Sequence, residues 1–113
     1  MFIKQRTKTN HIVILATATG LEDIGVKELD RQHRDKGCMM VGYHYVIRRD
    51  GMVETGRELD RLGHHSRRYN KDSVYVCLVG SDGNFTDEQL NALVEIEKEL
   101  TDLYPKAETI DLT

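Results

Sequence analysis

Apolar residues in this chain fall into short continuous runs that are typical of buried strands. Residues 11–16 and 73–80 are such runs, bounded by polar residues and rich in Val, Ile and Leu. Runs of this length and composition predict strands that are covered on both faces. Residues 43–48 are aromatic and β-branched, and Asp50-Gly51 followed by Met52-Val53 predicts a tight hairpin.

A helical pattern lies between the first two predicted strands. In residues 24–36, Val26, Leu29 and His33 recur at helical spacing among charged neighbours. Gly37 stands where the C-terminal cap of a helix is expected. We therefore expect the first helix over residues 24–36.

A second helix is predicted after the last apolar run. Thr86 and Gln89 have the spacing of a capping box, and Pro105 ends the pattern. Residues 108–112 then predict a last strand. One apolar stripe is expected along the helix, formed by Leu90, Leu93, Val94, Leu100, Leu103 and Tyr104.

This order of elements predicts an α/β fold with a mixed central sheet flanked by helices. The 113 residues are enough for one domain with a real core, so we expect a single domain over residues 1–113. No run approaches the roughly 18 to 20 apolar residues of a membrane span, and the N-terminus lacks the apolar core of a signal peptide. We therefore expect no membrane association and a cytoplasmic location.

Charge is distributed unevenly along the chain. Residues 1–81 hold 14 Lys and Arg against 10 Asp and Glu, whereas residues 82–113 hold 2 against 9. The acidic C-terminal part is either a partner surface or an ordinary solvated helix face. The net charge of −3 and the lack of a recognition motif argue against direct nucleic-acid binding.

The segment between the hairpin and residue 72 predicts a long loop that concentrates polar groups. Arg side chains and two adjacent His residues in this loop suit carboxylates, a phosphate or an acidic protein surface. The alternative is a solvated loop in which some Arg pair with Glu58 and Asp60. The candidate residues are Arg57, Arg61, His64, His65, Arg67, Arg68 and Asn70.

Two cysteines, Cys38 and Cys77, lie far apart without metal-ligand spacing. A disulfide framework is not expected, and both are interpreted as reduced packing residues. Cys77 lies in an apolar strand, where a thiol is usually inert. Cys38, next to Gly37, is expected to be more exposed and open to oxidation.

Several short motifs occur together in an order that resembles a known family. They are Phe2-Ile3-Lys4-Gln5-Arg6, Gly25-Val26-Lys27-Glu28, residues 41–51, Gly56-Arg57, Tyr69-Asn70, residues 76–80 and Asn84-Phe85-Thr86. In this register the chain resembles the type 2 N-acetylmuramoyl-L-alanine amidase and peptidoglycan-recognition-protein family. The resemblance implies the amidase-like fold, shortened at its C-terminal end.

The same resemblance implies a zinc site whose ligands do not match this chain. In the family, zinc is held by a His on the first core strand and by a His and a Cys after the last helix. The position of the first zinc ligand matches Leu15. The chain ends at Thr113, before the positions of the other two ligands and of the family's catalytic Lys. Tyr43 matches the catalytic Tyr and His65 matches the groove His. We therefore expect no zinc and no hydrolysis by the family's mechanism.

These expectations favour a catalytically inactive amidase homologue that works by binding. Phage lysozymes of this type also bind and inhibit RNA polymerase, so the expected partners are a phage or host polymerase, a host defence protein, or a peptidoglycan fragment. The remnant Tyr43 and the loop residues named above would line the old substrate groove, with residues 1–8 as a second contact surface. Tyr43 is equally interpreted as a core aromatic residue.

An enzymatic alternative stays open. A zinc-dependent amidase of the endolysin type would need ligands from unexpected positions or from a neighbouring chain, and His44, His64 and His65 are the candidates. His44 is expected to point away from Tyr43, and His64 and His65 are expected to diverge. Without this site, His44 is a packed, hydrogen-bonded residue and the other two are loop residues.

Overall fold

The computed structural model describes residues 3–113, so the predicted contact segment at residues 1–8 is described only from Ile3 onwards. In chain order, the elements of residues 3–113 are β1 (His11–Ala16), α1 (Val26–Asp35), β2 (Tyr45–Ile47), β3 (Val53–Thr55), β4 (Ser73–Leu78), α2 (Asp87–Leu103) and β5 (Glu108–Asp111). The order agrees with the sequence prediction, and the α/β class is confirmed.

The strands form a mixed sheet in the order β3-β2-β4-β1-β5. β4 pairs in parallel with both β1 and β2, and β5 adds to β1 in parallel. β2 and β3 pair in the antiparallel sense, as the hairpin sequence predicts. The central position of β4 explains its composition, because all six of its residues are buried.

Alternation along β1 and β4 separates two cores. Side chains of Val13 and Leu15 join one cluster, while Ile12 and Ile14 join the other. Along β4, Tyr75 and Cys77 belong to the first cluster, whereas Val74, Val76 and Leu78 belong to the second. Such alternation follows from the two-residue period of a strand. We call these the α1 face and the α2 face, because Leu29 of α1 packs in the first and Leu100 of α2 in the second.

α2 begins at the predicted capping box. The Thr86 hydroxyl accepts a bond from the Gln89 backbone N–H, and the Gln89 side chain accepts one from the Thr86 N–H. The Gln89 amide nitrogen also donates to the carbonyl oxygens of Ile47 and Val79. This fully buried side chain therefore fixes the start of the helix against β2 and the end of β4.

Several element boundaries differ from the prediction, and α1 and β5 each end one residue earlier than expected. α1 begins at Val26 rather than at residue 24, after Gly25 in an extended conformation. β2 is three residues long, so Tyr43 and His44 lie just before it rather than inside it. β4 ends at Leu78, before Val79 and Gly80.

The predicted apolar stripe of α2 is partly wrong. Leu90, Val94 and Leu103 are 44%, 50% and 59% exposed, whereas Ile96 and Leu100 are buried. Only part of the apolar side of the helix is therefore covered. No helix among residues 3–113 is long and apolar enough to cross a bilayer.

Candidate functional site

Tyr43 and His65 meet at one end of the α1 face, where the loop of residues 56–72, between β3 and β4, crosses the residues that precede β2. Backbone hydrogen bonds hold the loop there: Arg57 N–H donates to Tyr43 C=O at 2.9 Å, and His64 N–H donates to Gly42 C=O at 3.0 Å. Arg61 forms an isolated antiparallel bridge with Gln5. The loop is irregular, yet it is tied to the sheet at several points.

Two glycines allow this close approach. A Cβ on Gly42 would overlap the His64 carbonyl oxygen, and one on Gly63 would overlap the ring of Tyr75. A Cβ at either position would force the contacting carbonyl or ring to move, so glycine allows the closest approach. The chain therefore passes close enough to place both loop histidines beside the sheet.

Tyr43 lies in a cluster of aromatic and imidazole rings. Its ring makes an edge contact with His33 of α1, with centroids 5.0 Å apart, and lies 6.2 Å from His65. The His65 ring also lies 5.8 Å from Tyr75. Tyr43 is 7% exposed, so it is a core aromatic residue that also borders the loop.

Burial is the main influence on the pKa values of the side chains in this cluster. It raises the pKa of the Tyr43 hydroxyl, and it raises the pKa of Tyr75 to about 12. The pKa of His65 is lowered first by burial against its neighbours and then by the charge of His64. Burial also lowers the pKa of His33. Neutral imidazoles and neutral phenols are therefore favoured here at neutral pH.

Asn70 organises the loop around Tyr75. Its side-chain oxygen accepts bonds from the His65 N–H at 2.9 Å and the Ser66 N–H at 3.0 Å. The Tyr75 hydroxyl donates to the same oxygen at 2.6 Å. The Asn70 side chain thus holds His65 in place through the backbone N–H of that residue. It points to the loop rather than to solvent. Tyr75 was not a predicted site residue, and the one signal for it was an aromatic residue with a polar group inside an apolar strand.

The four predicted arginines divide into two pairs. Arg57 is 7% exposed, and its guanidinium donates to the carbonyl oxygens of Val41 and Leu62. Arg61 donates to Ile3 C=O and lies within 4 Å of carboxylates of Glu58 and Asp60, the pairing that the solvated-loop alternative expected. Both arginines therefore stabilise the loop.

Arg67 and Arg68 are exposed, and so is the adjacent Lys71. The Arg68 guanidinium lies over the Tyr69 ring, 5.4 Å from its centroid. This contact orients one cation at the loop surface. These residues are the cationic groups of the loop that a ligand in solution would meet first.

His44 borders the Tyr43 cluster through Tyr75, because the two rings stack with centroids 6.3 Å apart. It is 1% exposed, and its Nε2 lies 2.7 Å from the Arg61 carbonyl oxygen, while Tyr75 N–H donates to its Nδ1 at 2.9 Å. These partners indicate the tautomer with the proton on Nε2. Burial lowers the pKa of His44 to about 4, so the residue is neutral and structural at neutral pH.

The buried Arg6 completes this network and was not predicted as important. Its guanidinium donates to Arg61 C=O at 2.8 Å, to the Thr9 hydroxyl at 2.8 Å and to the Tyr104 hydroxyl at 3.2 Å. The N-terminal segment is thus joined to the loop and to the end of α2. Met1 and Phe2 lie outside the described residues.

The residues present do not fit the zinc site that the family resemblance implies. Leu15 is 3% exposed and packs in the α1-face core, and an apolar side chain offers no atom to a metal. Within residues 3–113, no three His, Cys, Asp or Glu side chains come together in a way that could hold a metal ion. His64 faces Cys38 and His65 faces Tyr43, while His44 is bonded elsewhere.

Comparison with known proteins defines the class. The family described as N-acetylmuramoyl-L-alanine amidase (Amidase_2) matches residues 5–111, so the chain belongs to this family. It is 42% identical over 111 residues to the endolysin of Enterobacteria phage K11, covering 91% of this chain and 74% of that protein.

Solved structures agree on the fold. The N-acetylmuramoyl-L-alanine amidase LysC from Clostridium intestinale superposes with a TM-score of 0.90 at 22% identity, covering 98% of this chain and 74% of LysC. The ectodomain complex of peptidoglycan recognition proteins LCa and LCx, solved with tracheal cytotoxin bound, gives a TM-score of 0.79 at 21% identity, covering 98% of this chain and 75% of the matched chain. The predicted amidase-like fold is therefore confirmed.

Proposed function

We propose that this chain binds a peptidoglycan fragment at the loop end of its α1 face without cleaving it by the zinc mechanism of its family. One observation carries the proposal: Leu15 is buried in the core at the position that the resemblance matches to the first metal ligand, while Tyr43 and His65 still lie side by side. Leu15 lies inside β1, so its inability to bind zinc is independent of any sequence beyond residue 113.

The surface groups suit such a ligand. Peptidoglycan fragments combine sugars with short peptides that carry carboxylates. Exposed Arg67 and Arg68 can attract carboxylates, and the exposed imidazole of His65 can pack on a sugar or donate a hydrogen bond. The related LCa and LCx structure, which holds tracheal cytotoxin, supports a ligand of this kind.

A protein partner is the second candidate, and the charge distribution favours it. The loop surface around Arg68 is cationic, whereas residues 82–113 hold 9 acidic residues against 2 basic ones. An inhibitory complex with a phage or host RNA polymerase, or with a host defence protein, would use one of these two surfaces. Either role is that of a pseudoenzyme.

The enzymatic alternative is a zinc-dependent N-acetylmuramoyl-L-alanine amidase with non-standard ligands. The family assignment and the endolysin relative favour it. It requires metal-binding side chains in addition to those that residues 3–113 bring together.

The first test measures zinc and binding on the same preparation. The protein is incubated with excess zinc, freed of unbound metal and analysed for metal content, and tracheal cytotoxin is then titrated calorimetrically. We expect well under one zinc per chain and saturable binding. Stoichiometric zinc together with peptidoglycan cleavage would replace the proposal with the enzymatic alternative.

Variants locate the binding surface. His65→Ala is expected to weaken the affinity for tracheal cytotoxin about tenfold, the loss of roughly one good contact. Lys98→Ala, on exposed α2, is the matched control and should leave the affinity unchanged. The same two variants test the protein-partner candidate. It is favoured if His65→Ala does not weaken the affinity for tracheal cytotoxin and a polymerase binds His65→Ala and Lys98→Ala equally well.

A further inference from the structure

Cys38 and His64 form a close pair at the edge of the Tyr43 cluster. The Cys38 Sγ lies 3.1 Å from the His64 Nδ1, although the two residues are 26 positions apart in the chain. Cys38 is half-buried and His64 is exposed. The thiol is thus within hydrogen-bond reach of an imidazole nitrogen and remains open to small molecules.

The backbone holds both residues on a common support. Cys38 N–H donates to His33 C=O at 2.9 Å, which fixes the turn that follows α1. His64 N–H donates to Gly42 C=O, and Gly42 N–H donates to the His33 Nδ1 at 2.9 Å. His33 and Gly42 therefore hold the backbones of Cys38 and His64 close together, so that the two side chains can meet.

Positive charges lie close to the pair. The Arg57 guanidinium donates to the carbonyl oxygens of Val41 and Leu62, which lie three residues after Cys38 and two residues before His64. Lys36 adds a positive charge two residues before the cysteine. A thiol beside an imidazole base and cationic groups has the arrangement of a reactive cysteine.

Cys77 provides an internal contrast. It is fully buried in β4, and burial raises the pKa of its thiol to about 12. Its sulfur approaches the Leu78 carbonyl oxygen at 3.9 Å, which is a weak contact. The same protein therefore holds an accessible thiol beside a base and an inaccessible thiol in an apolar strand.

We propose that Cys38 and His64 form a reactive thiol site that exchanges with small disulfides. His64 accepts the thiol proton, and the Cys38 sulfur attacks one sulfur of the disulfide. A new S–S bond forms as the old one breaks, and the released thiolate takes the proton back from His64. The products are a mixed disulfide on Cys38 and one small thiol, so no further oxidant or reductant is needed.

A mixed disulfide on Cys38 is expected to affect the neighbouring ring cluster. Tyr43 contacts the ring of His33, and the carbonyl oxygen of His33 accepts the hydrogen bond from the Cys38 N–H. A bulky adduct on this sulfur would stand beside the ring cluster and reduce access to His65. The exchange chemistry itself does not depend on the proposed peptidoglycan binding.

The test follows the reaction of the folded protein with oxidised glutathione by intact mass and peptide mapping. We expect one adduct per chain, on Cys38 and not on Cys77. His64→Gln should slow the exchange about tenfold, since it removes the base. His11→Gln is the matched control on β1, away from the pair, and should leave the rate unchanged. Equal rates for wild type and His64→Gln would overturn the proposal.

A second comparison needs no variant and therefore stands if His64→Gln fails to fold. A peptide with the sequence of residues 36–40 contains the same cysteine without His64. Wild-type Cys38 is expected to exchange faster than this peptide. A rate equal to or below that of the peptide, or an adduct on Cys77 in the folded protein, would contradict the proposed site.

Discussion

The two faces of the sheet differ in what they contain, although the same strands supply both. The α2 face is filled by aliphatic residues such as Ile12, Val76 and Leu100, and α2 is anchored there by a complete capping box. The α1 face mixes aliphatic residues with Tyr43, Tyr75 and Cys77. The N-cap residue of its helix, Gly25, has no side chain, and the Val26 N–H donates instead to the carboxylate of Glu54 on β3.

This difference indicates that the two faces have different roles, one in stability and the other in binding. A face packed mainly with aliphatic side chains gains stability chiefly from burial, and the buried Gln89 side chain on this face is hydrogen-bonded. The α1 face also buries tyrosines and a thiol, and each polar group there needs a partner or has its pKa shifted. The candidate binding site and the reactive thiol pair both lie on this second face, so substitutions should separate stability from binding according to face.

The largest change in the free energy of unfolding is expected for a substitution in the α2-face core. Leu100→Ala removes a side chain that is 1% exposed and should lower the free energy of unfolding by about 3 to 4 kcal/mol. Leu103→Ala, three residues later on the same helix and 59% exposed, should change it by less than about 0.5 kcal/mol. Urea unfolding measures both. Similar costs for the two variants would show that α2 packs differently.

The next largest effect is a dependence of stability on pH through His44. Its pKa is lowered to about 4 in the folded protein, so between pH 4 and its ordinary value the unfolded chain binds more protons. This contribution to stability is complete above about pH 6.5 and is lost as the pH falls towards 4, by at most about 3 kcal/mol. Protonation of Nδ1 would also break the bond from the Tyr75 N–H.

Urea unfolding at a series of pH values between 4 and 7 tests the role of His44. The slope of stability against pH should be shallower in His44→Asn, which cannot titrate in this range. An unchanged slope would assign the acid sensitivity to other groups.

The regular parts of the fold could be predicted from the sequence because each depends on neighbours along the chain. The apolar runs of β1 and β4, the hairpin after β2 and the Thr86 capping box are local signals, and all are found. The error in the α2 stripe has a different cause. Helical periodicity identifies which side of a helix is apolar, but tertiary packing decides which residues of that side are buried.

The site was harder to predict because it depends on an irregular loop. Nothing in the sequence indicates that Arg57 turns inward to backbone carbonyls while Arg68 stays outside. The pairing of Cys38 with His64 joins a helix end to a loop 26 residues away, and no periodic pattern relates them. What the sequence did indicate was the proximity of Tyr43 and His65, through the family resemblance.

Gly42→Ala tests whether the α1 face depends on the close loop approach. An added Cβ would collide with the His64 carbonyl oxygen, so the loop must move, at a cost of roughly 2 kcal/mol. Hydrogen exchange should show lost protection of the His64 amide, which is bonded to Gly42 C=O. Binding at His65 and thiol exchange at Cys38 should weaken together.

The control for this variant is Gly20→Ala. A Cβ at Gly20 meets no atom within 4 Å, and only its left-handed backbone, with φ of 65°, is strained. Its cost should be about 1 kcal/mol without any change at the His64 amide. Retained protection of that amide in Gly42→Ala would mean that the loop does not need the glycine.

The smallest effect is expected at Ser73, which begins β4. Its hydroxyl oxygen is buried and has no hydrogen-bond partner among residues 3–113. A buried hydroxyl without a partner contributes no net stability, so Ser73→Ala should be neutral or stabilise the protein by up to about 1 kcal/mol.

Thr86→Ala is the contrasting hydroxyl deletion, because it removes a working N-cap and should cost about 1 kcal/mol. Thermal unfolding of the two variants therefore separates a polar group that stabilises the fold from one that does not. A loss of stability in Ser73→Ala as large as in Thr86→Ala would mean that the Ser73 hydroxyl has a partner in solution, such as an ordered water.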